Sequence, residues 1–168
     1  MGRLGRAVPV SLLAFIVYMV FTGSITPYDI VTGVVVSVAI GIVVANIVIS
    51  NPYKPFNPKR WVWLIAYTLY YFFIAEVNAH IDVIRRILSP RMPINPGIVK
   101  IPVKVTCDYA ITAVANSITN TPGTVVVEID EAGKYFYVHW IDVKRVDEEG
   151  AYKEISYTFE KYISKIFD

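Results

Sequence analysis

The amino-acid sequence predicts a membrane protein with about three transmembrane helices in its N-terminal part and a small α/β domain in its C-terminal part. Three observations lead to this fold class. Long stretches without a charged residue recur before residue 80. The balance of charges differs between the two parts of the chain. The alternation of apolar and polar residues that is typical of half-buried strands begins only after residue 94.

The charge distribution sets the boundary between the two parts. Residues 1–93 contain eight Lys or Arg against three acidic residues, whereas residues 94–168 contain eight against eleven. The whole chain is 55% hydrophobic and only 18% charged, and soluble domains are about a quarter charged. A basic and otherwise apolar region suits a bilayer with anionic headgroups. We therefore predict a transmembrane region over 1–93 and a soluble domain over 94–168.

The first two predicted spans cover about residues 7–26 and 29–50. The apolar centre of the first is shorter than the roughly 20 residues that cross a bilayer, so this helix is expected to be thin, tilted or partly interfacial. In the second, Gly33, Ser37 and Gly41 lie four residues apart. Small residues at this spacing let helices approach closely in lipid. The alternative is that glycine is simply common in membrane helices.

The third predicted span covers about residues 61–80 and follows a basic, proline-rich loop. Trp61 and Trp63 open it and suit an interfacial aromatic anchor. Apolar residues continue at three- and four-residue steps beyond residue 80. We therefore predict one long helix that leaves the bilayer near residue 80 and ends at about residue 89, before Pro90.

The C-terminal domain is predicted to have the order β-α-β-β-α. The first strand alternates from Val99 to Val105, and Pro102 places it at a sheet edge. Asp108 is expected to cap the first helix, and two strands of a hairpin follow over 124–129 and 134–141. An amphipathic helix is predicted from Ala151 onwards. About 75 residues form a small core, so this domain is expected to depend on the membrane part or on partners.

Catalytic and metal-binding chemistry is not indicated by the sequence. The chain has two histidines and the single cysteine Cys107, with no clustered metal ligands. It has no nucleophilic triad, phosphate-binding glycine loop, zinc spacing or nucleic-acid motif. We therefore expect no catalytic residue, cofactor, metal or nucleic-acid partner. The complete absence of glutamine is a compositional feature of hyperthermophile proteins and hints at a thermophilic source.

Glu76 is the sharpest candidate for a functional residue, because ionisable groups within membrane segments often mark ion or proton routes. It lies one helical turn before His80. The alternative, which the nearby basic residues favour, is that Glu76 lies at headgroup level or pairs with a neighbouring subunit. Asp29 is expected to cap the second span.

Several motifs in a fixed order give the chain a family resemblance. They are EVNAHIDV at 76–83, LSP at 88–90, NPGI at 95–98, SITNTPGT at 117–124 and VHWID at 138–142. These segments resemble the E subunit of multisubunit Na+/H+ antiporters, the MnhE/MrpE family. The resemblance covers roughly residues 60–167 by motif and the first two helices by hydropathy alone.

The resemblance implies a small accessory and assembly subunit in the cell membrane, with other subunits and the lipid bilayer as partners. The assembly would be a cation/proton antiporter, or the antiporter-like module of an archaeal membrane-bound hydrogenase or a related respiratory complex. The family's soluble domain is pictured on the cytoplasmic side. We predict an ion-route or interface role for Glu76, Asn78, His80, Asp82 and Asp29. We also predict that a turn joins the membrane and soluble parts, formed by Thr119, Thr121, Pro122, Gly123 and Thr124.

Two other functions remain open from the sequence. The chain could move protons itself through Glu76 and Asp29, or it could be a stand-alone membrane-anchored binding domain.

The charge distribution and the family resemblance predict opposite membrane orientations. With three crossings, the positive-inside rule places the domain outside, because five Lys or Arg then face inward against three. The resemblance places it inside, and an only partly inserted first helix would give an even number of crossings.

Overall fold

The computed structural model describes residues 3–49 and 54–168. The chain forms two compact units, Met1–Asn57 and Pro58–Asp168. The second unit combines the third apolar helix with the α/β domain. The boundary at residue 93 was predicted from charge and hydropathy and stays a prediction, whereas compact packing divides the chain before the third helix.

The first unit is a helical hairpin of α1 (Arg3–Thr22) and α2 (Pro27–Val48), followed by a short 3₁₀ turn (Lys54–Phe56). Gly33, Ser37 and Gly41 are buried along one face of α2 together with Ala45. A Cβ atom added at Gly33 would lie 2.8 Å from the ring of Tyr18 in α1. The missing side chains therefore let the two helices approach closely.

The start of α2 is fixed by a capping box. The N-cap is Thr26, not Asp29 as expected, and Pro27 occupies the first helical position. The backbone N–H of Asp29 donates to Thr26 Oγ1 at 3.3 Å. The Asp29 carboxylate accepts hydrogen bonds from the hydroxyls of Ser24 and Thr26. Asp29 therefore closes the capping box from the third helical position.

The third helix is continuous over Pro58–Leu88 and contains a π-helical turn. It comprises α3 (Pro58–Tyr70), the π turn (Tyr71–Ala75) and α4 (Glu76–Leu88). Like α1 and α2, it is long and apolar enough to cross a membrane by length and composition. The predicted end before Pro90 agrees with the C-cap at Ser89. The π turn was not predicted, because it adds one residue to a turn without changing the apolar composition.

The domain contains an antiparallel sheet of β1 (Gly97–Pro102), β2 (Thr124–Asp130) and β3 (Tyr135–Trp140), in the order β1-β3-β2. Strand β1 lies at an edge, as Pro102 predicted. Val99 pairs with Val138 and Ile101 with Phe136 across the β1–β3 ladder. A bulge interrupts β2 between Val126 and Glu128.

Three helices complete the domain: α5 (Asp108–Asn120), α6 (Glu148–Ile155) and α7 (Tyr157–Phe167). The predicted fold class, membrane helices followed by an α/β domain, is confirmed. The single final helix expected from Ala151 is in fact two helices, which meet at Ser156. Asp147 starts the first of them by accepting a hydrogen bond from the N–H of Gly150 at 2.8 Å. The N-cap of α5 is Cys107, so Asp108 is the first helical residue rather than the cap.

The core of the second unit is shared between the domain and the third helix. Phe136, Val138 and Ile101 from the sheet are fully buried. They belong to the same apolar cluster as Tyr71 of the π turn, which is only 8% exposed. The domain therefore does not form its core alone, as its small size led us to expect.

A buried carboxyl group fastens α7 to the segment after β1. Glu160 is only 4% exposed. It accepts hydrogen bonds from the N–H of Lys104 at 3.2 Å and from the hydroxyl of Tyr152 at 3.3 Å. Burial raises the pKa of Glu160 to about 7, although the hydrogen bonds from Lys104 and Tyr152 act in the opposite direction.

We predict that Glu160→Gln stabilises the protein above pH 8. The folded-state pKa lies above the ordinary value of 4.5, so the wild type loses stability as pH rises through about 7. Glutamine keeps the acceptor oxygen and cannot ionise. We expect a gain of ~1–2 kcal/mol in the free energy of unfolding at pH 8.5 and little change at pH 5. Thermal unfolding of the full chain in detergent would measure it.

The matched control is Glu154→Gln, since Glu154 is exposed on α6. This variant should follow the wild type at both pH values. An equal effect of Glu160→Gln at pH 5 and pH 8.5 would mean that ionisation of this carboxyl does not limit stability.

Candidate functional site

The candidate site is the junction at which the third helix contacts the α/β domain. Residues from the first turn of the helix to its last contact the domain. We name this set the domain-facing stripe. It comprises Arg60, Trp63, Tyr67, Tyr70, Tyr71, Val83 and Arg86.

The first half of the stripe is aromatic. The ring of Tyr70 stacks on Tyr162 of α7 with centroids 5.2 Å apart, and Trp63 meets the same ring edge-on at 6.1 Å. The hydroxyl of Tyr67 hydrogen-bonds to that of Ser117 in α5. In these contacts the rings bury apolar surface, and the Tyr67 hydroxyl has a hydrogen-bond partner. Tyrosines within proteins are usually accommodated in this way.

A polar cluster follows directly after the π turn. The hydroxyl of Tyr71 donates to Glu76 Oε1 at 2.6 Å. The side-chain amide of Asn120, the last residue of α5, lies 3.1 Å from the Tyr71 hydroxyl and 3.4 Å from Glu76 Oε1. His80 Nδ1 lies 3.3 Å from Glu76 Oε2. Glu76 is therefore held by groups from both the helix and the domain.

The π turn explains how this cluster forms. In it, the N–H of Glu76 donates to the carbonyl of Tyr71, five residues earlier instead of four. In a regular α-helix of about 3.6 residues per turn, the twelve residues from Tyr71 to Val83 would rotate Val83 roughly 120° around the axis from Tyr71. The extra residue of the π turn removes most of this rotation, so α4 faces the same side as α3. Tyr71 can then enter the core while Val83 and Arg86 still face the domain.

Arg86 connects the end of α4 to the domain. Its guanidinium contacts Asp82 at 2.7 Å and Asp142, which follows β3, at 3.0 Å. It also donates to the carbonyl of Pro93 at 2.6 Å. The Arg86 side chain is only 11% exposed. Three acceptors from three segments thus hold one buried cation, the arrangement in which such an interaction is strong.

The turn after α5 packs against α4. Gly123 has a φ of +98°, a conformation that favours glycine. A Cβ atom there would lie 3.1 Å from Ile141 and 3.8 Å from Val83. The hydroxyls of Thr121 and Thr124 donate to the carbonyls of Ser117 and Ile118. The hydroxyl of Thr119 accepts from the N–H of Val126 at 3.1 Å.

An open groove of about 450 Å³ runs between the third helix and α5. It is lined by phenol, amide and hydroxyl groups, namely those of Tyr67, Tyr71, Asn116, Ser117, Thr119 and Asn120. Within residues 3–49 and 54–168, no group of three His, Cys, Asp or Glu side chains is placed to hold a metal ion. The groups that line the groove can donate and accept hydrogen bonds, and among the described lining residues none is a histidine or a carboxylate that could act as a base.

The structure brings together part of the predicted set. Glu76 and His80 form one cluster, and Asp82 joins Arg86 in another. Asn78 is exposed on α4. Asp29 belongs to the other compact unit. Pro122 and Gly123 lie in the turn beside α4, between Thr121 and Thr124.

The two polar clusters contain four residues that were not predicted as site residues: Tyr71, Asn120, Arg86 and Asp142. Asn120 and Asp142 lie within the motifs that carry the family resemblance, which was a usable signal. The four-residue spacing of Asp82 and Arg86 indicates only a pair along the helix surface, and the contact of Arg86 with Asp142 is distant in sequence. The burial of Tyr71 could not be predicted, because it depends on the π turn.

Comparison with known proteins gives the family. The profile described as MNHE, Na+/H+ ion antiporter subunit, matches residues 11–166. The chain belongs to this family. Among MNHE relatives, the E subunit of the Na(+)/H(+) antiporter of Alkalihalophilus pseudofirmus is 33% identical over 156 residues, 93% of this chain and 94% of that one. The corresponding antiporter protein of Bacillus subtilis is 35% identical over 107 residues, 63% of this chain and 66% of that one.

A solved structure also aligns over nearly the whole chain. It is a chain of the membrane-bound sulfane sulfur reductase, an archaeal respiratory membrane complex. The identity is 36%, the TM-score is 0.85, and the match covers 97% of this chain and 99% of that one. This MNHE chain and its relative thus share both the helical part and the α/β domain.

We predict that Arg86→Ala destabilises the second unit by ~1–3 kcal/mol, since it leaves two carboxylates and a carbonyl without their shared donor. Arg86→Lys should recover only part of this loss, because one ammonium group cannot reproduce the planar contacts. Thermal unfolding of the full chain, followed by tryptophan fluorescence, would measure both. The control is Arg85→Ala, at an exposed neighbouring position. Equal effects at residues 85 and 86 would contradict the assignment.

Proposed function

We propose that this chain is a non-catalytic accessory subunit that fixes a small α/β domain to the membrane part of a cation/proton antiporter-like assembly. The observation that carries the proposal is the shared core, in which Tyr71 of the third helix is buried among the sheet and helices of the domain. The family match over residues 11–166 supports it. Other subunits of that assembly are the partners.

We favour an archaeal respiratory complex as the setting, and a stand-alone Na+/H+ antiporter as the second candidate. The chain aligns with a subunit of an archaeal respiratory membrane complex over 97% of its length at 36% identity. The absence of glutamine in 168 residues fits a thermophilic source. The antiporter setting is supported by the 33% identity to a bacterial antiporter protein of the same family. The hydrogenase setting named by the family resemblance is one form of the respiratory assembly.

We propose that the junction serves assembly rather than ion transfer. The Glu76 carboxylate receives hydrogen bonds from Tyr71 and Asn120, so it fixes the position of α5 relative to the third helix. The turn containing Pro122 and Gly123 packs on α4 a short distance further on. Together these contacts set the orientation of the surface that the domain presents to neighbouring subunits. We further propose that the domain lies on the cytoplasmic side.

The setting is tested by purification of the tagged chain from its native membrane in mild detergent, followed by mass spectrometry. We expect antiporter-type membrane subunits together with iron–sulfur proteins. Antiporter-type subunits alone would select the second candidate. Recovery of the chain by itself from intact membranes would contradict the accessory role and favour a stand-alone anchored domain.

We predict that Gly123→Val and Pro122→Leu lower the yield of the assembled complex several-fold. Valine at residue 123 is strained at positive φ and meets Ile141. The measurement is the amount of co-purified partner subunits, with ion affinity determined on whatever assembles. Thr112→Val, on the exposed side of α5, is the control. A fully assembled Gly123→Val complex with a selectively changed sodium affinity would contradict the assembly role.

We predict that Glu76→Gln preserves transport in the assembled complex within about twofold, because glutamine retains an oxygen that accepts the bond from Tyr71. Glu76→Leu removes that acceptor and should lower assembly. Sodium-dependent proton movement in inverted vesicles would measure both variants. A Glu76→Gln complex of normal composition that fails to transport would instead establish an ion route through this chain.

A further inference from the structure

The third helix is accompanied by the domain over nearly its whole length. It has 31 residues, which is about 46 Å at ~1.5 Å per residue. Near its start, the Arg60 guanidinium donates to the carbonyl of Ile166 at the end of α7. Near its end, Arg86 contacts Asp142 at 3.0 Å. A bilayer that contained this helix across its thickness would therefore also contain the adjacent part of the domain.

That adjacent part is charged and polar. Lys165 Nζ lies 3.7 Å above the ring of Trp63 near the helix start. Lys161, on the same helix α7, is exposed. At the other end Asp142 is part of the Arg86 cluster. Charged side chains cost several kcal/mol each inside hydrocarbon. A helix with such a companion along one side is unsuited to crossing the bilayer.

The opposite side of the helix is apolar and uncovered. Phe73 is 71% exposed and Ile87 is 66% exposed. We name this side the apolar stripe. It comprises Val62, Ile65, Leu69, Phe72, Phe73, Val77, Ile84, Ile87 and Leu88. The apolar side is interrupted by the exposed His80, whose side chain is 60% exposed. A helix with a polar partner on one side and a largely apolar opposite side is typical of helices that lie in the bilayer interface.

Basic residues flank this stripe at both ends. Lys54 and Lys59 precede it, and Arg85 and Arg91 lie at its end. Cations at both ends of a helix in the membrane plane attract anionic headgroups at both ends. Trp61, at the first turn, is the residue type enriched at the membrane–water interface. The charge pattern thus fits a lipid surface better than a single crossing.

We propose that the third helix lies in the cytoplasmic bilayer interface with its apolar stripe in lipid, and that only α1 and α2 cross the membrane. The occupant of the apolar stripe is the lipid bilayer with anionic headgroups. Because two crossings return the chain to its starting side, the N-terminus and the α/β domain lie on the same side. The number of crossings is inferred from the fold and does not depend on the proposed function, whereas the cytoplasmic side rests on it.

Two crossings also remove the conflict between the positive-inside rule and the orientation that the family resemblance implies. Arg3 and Arg6 lie in the first turn of α1, and all other Lys and Arg up to residue 91 follow α2. All eight then lie on one side, and the linker over residues 23–26 on the other side contains none. The positive-inside rule places that one side in the cytoplasm.

The number of crossings is tested with single cysteines in the full complex, on a Cys107→Ser background. Lys59→Cys and Arg91→Cys mark the two ends of the third helix, and Ile25→Cys marks the linker. With a membrane-impermeant maleimide, we expect only Ile25→Cys to react in intact cells. Both Lys59→Cys and Arg91→Cys should react in inverted vesicles. Reaction of residues 59 and 91 from opposite sides would overturn the proposal.

The occupant of the apolar stripe is tested with nitroxides on Ile65→Cys, Phe73→Cys and Ile84→Cys in the reconstituted complex. Accessibility to oxygen and to a water-soluble nickel chelate reports depth. We expect all three at a similar depth of about 5–10 Å, with Lys161→Cys in water as control. A much deeper Phe73 would indicate a crossing helix. Shielding of all three from both reagents would mean that another protein of the complex covers the stripe, and either result overturns the proposal.

Discussion

The structure depends on the packing of one long helix against a small domain. A domain of about 75 residues buries a smaller fraction of its surface than a larger one, so each added apolar contact matters. Tyr71 closes that core from outside the domain, and Tyr67 and Tyr70 extend the contact towards α7. Without the third helix, Phe159 and Tyr162 of α7 would lose their ring contacts with Tyr71 and Tyr70. The helix is thus part of the domain's core, and the two fold as one unit.

Local backbone geometry and a few polar contacts give this packing its direction. The π turn keeps both halves of the helix facing the domain. Glu76 and Arg86 then fix the register, because each is bound by groups from the helix and from the domain. Apolar packing tolerates sliding by one turn, whereas a hydrogen-bonded carboxylate or guanidinium does not. The polar clusters therefore determine which rotation and depth the packing adopts.

A unit built in this way suits an accessory role in the MNHE family. Its α/β domain shares a core with the third helix, so the domain is fixed to that helix. The hairpin of α1 and α2 packs in a different way. Glycines in α2 have no side chain, so the two helices can approach closely within lipid. The chain thus combines a lipid-embedded part packed through small residues with a polar domain packed through aromatic rings.

The sequence by itself determined what depends on local periodicity. Uncharged stretches gave the apolar helices, alternation gave the edge strand with Pro102, and the spacing of Gly33 and Gly41 marked the buried face of α2. The tertiary structure decided what depends on contacts distant in the chain. These are the division of the last helix at Ser156, the pairing of Arg86 with Asp142 and the burial of Tyr71. It also decided which side of the third helix remains apolar and uncovered. Hydropathy along a chain measures how apolar a segment is, but it does not show which side of a helix another element covers. The same residues are therefore compatible with a helix that crosses the bilayer and with one that lies in its interface until the packing partner is known.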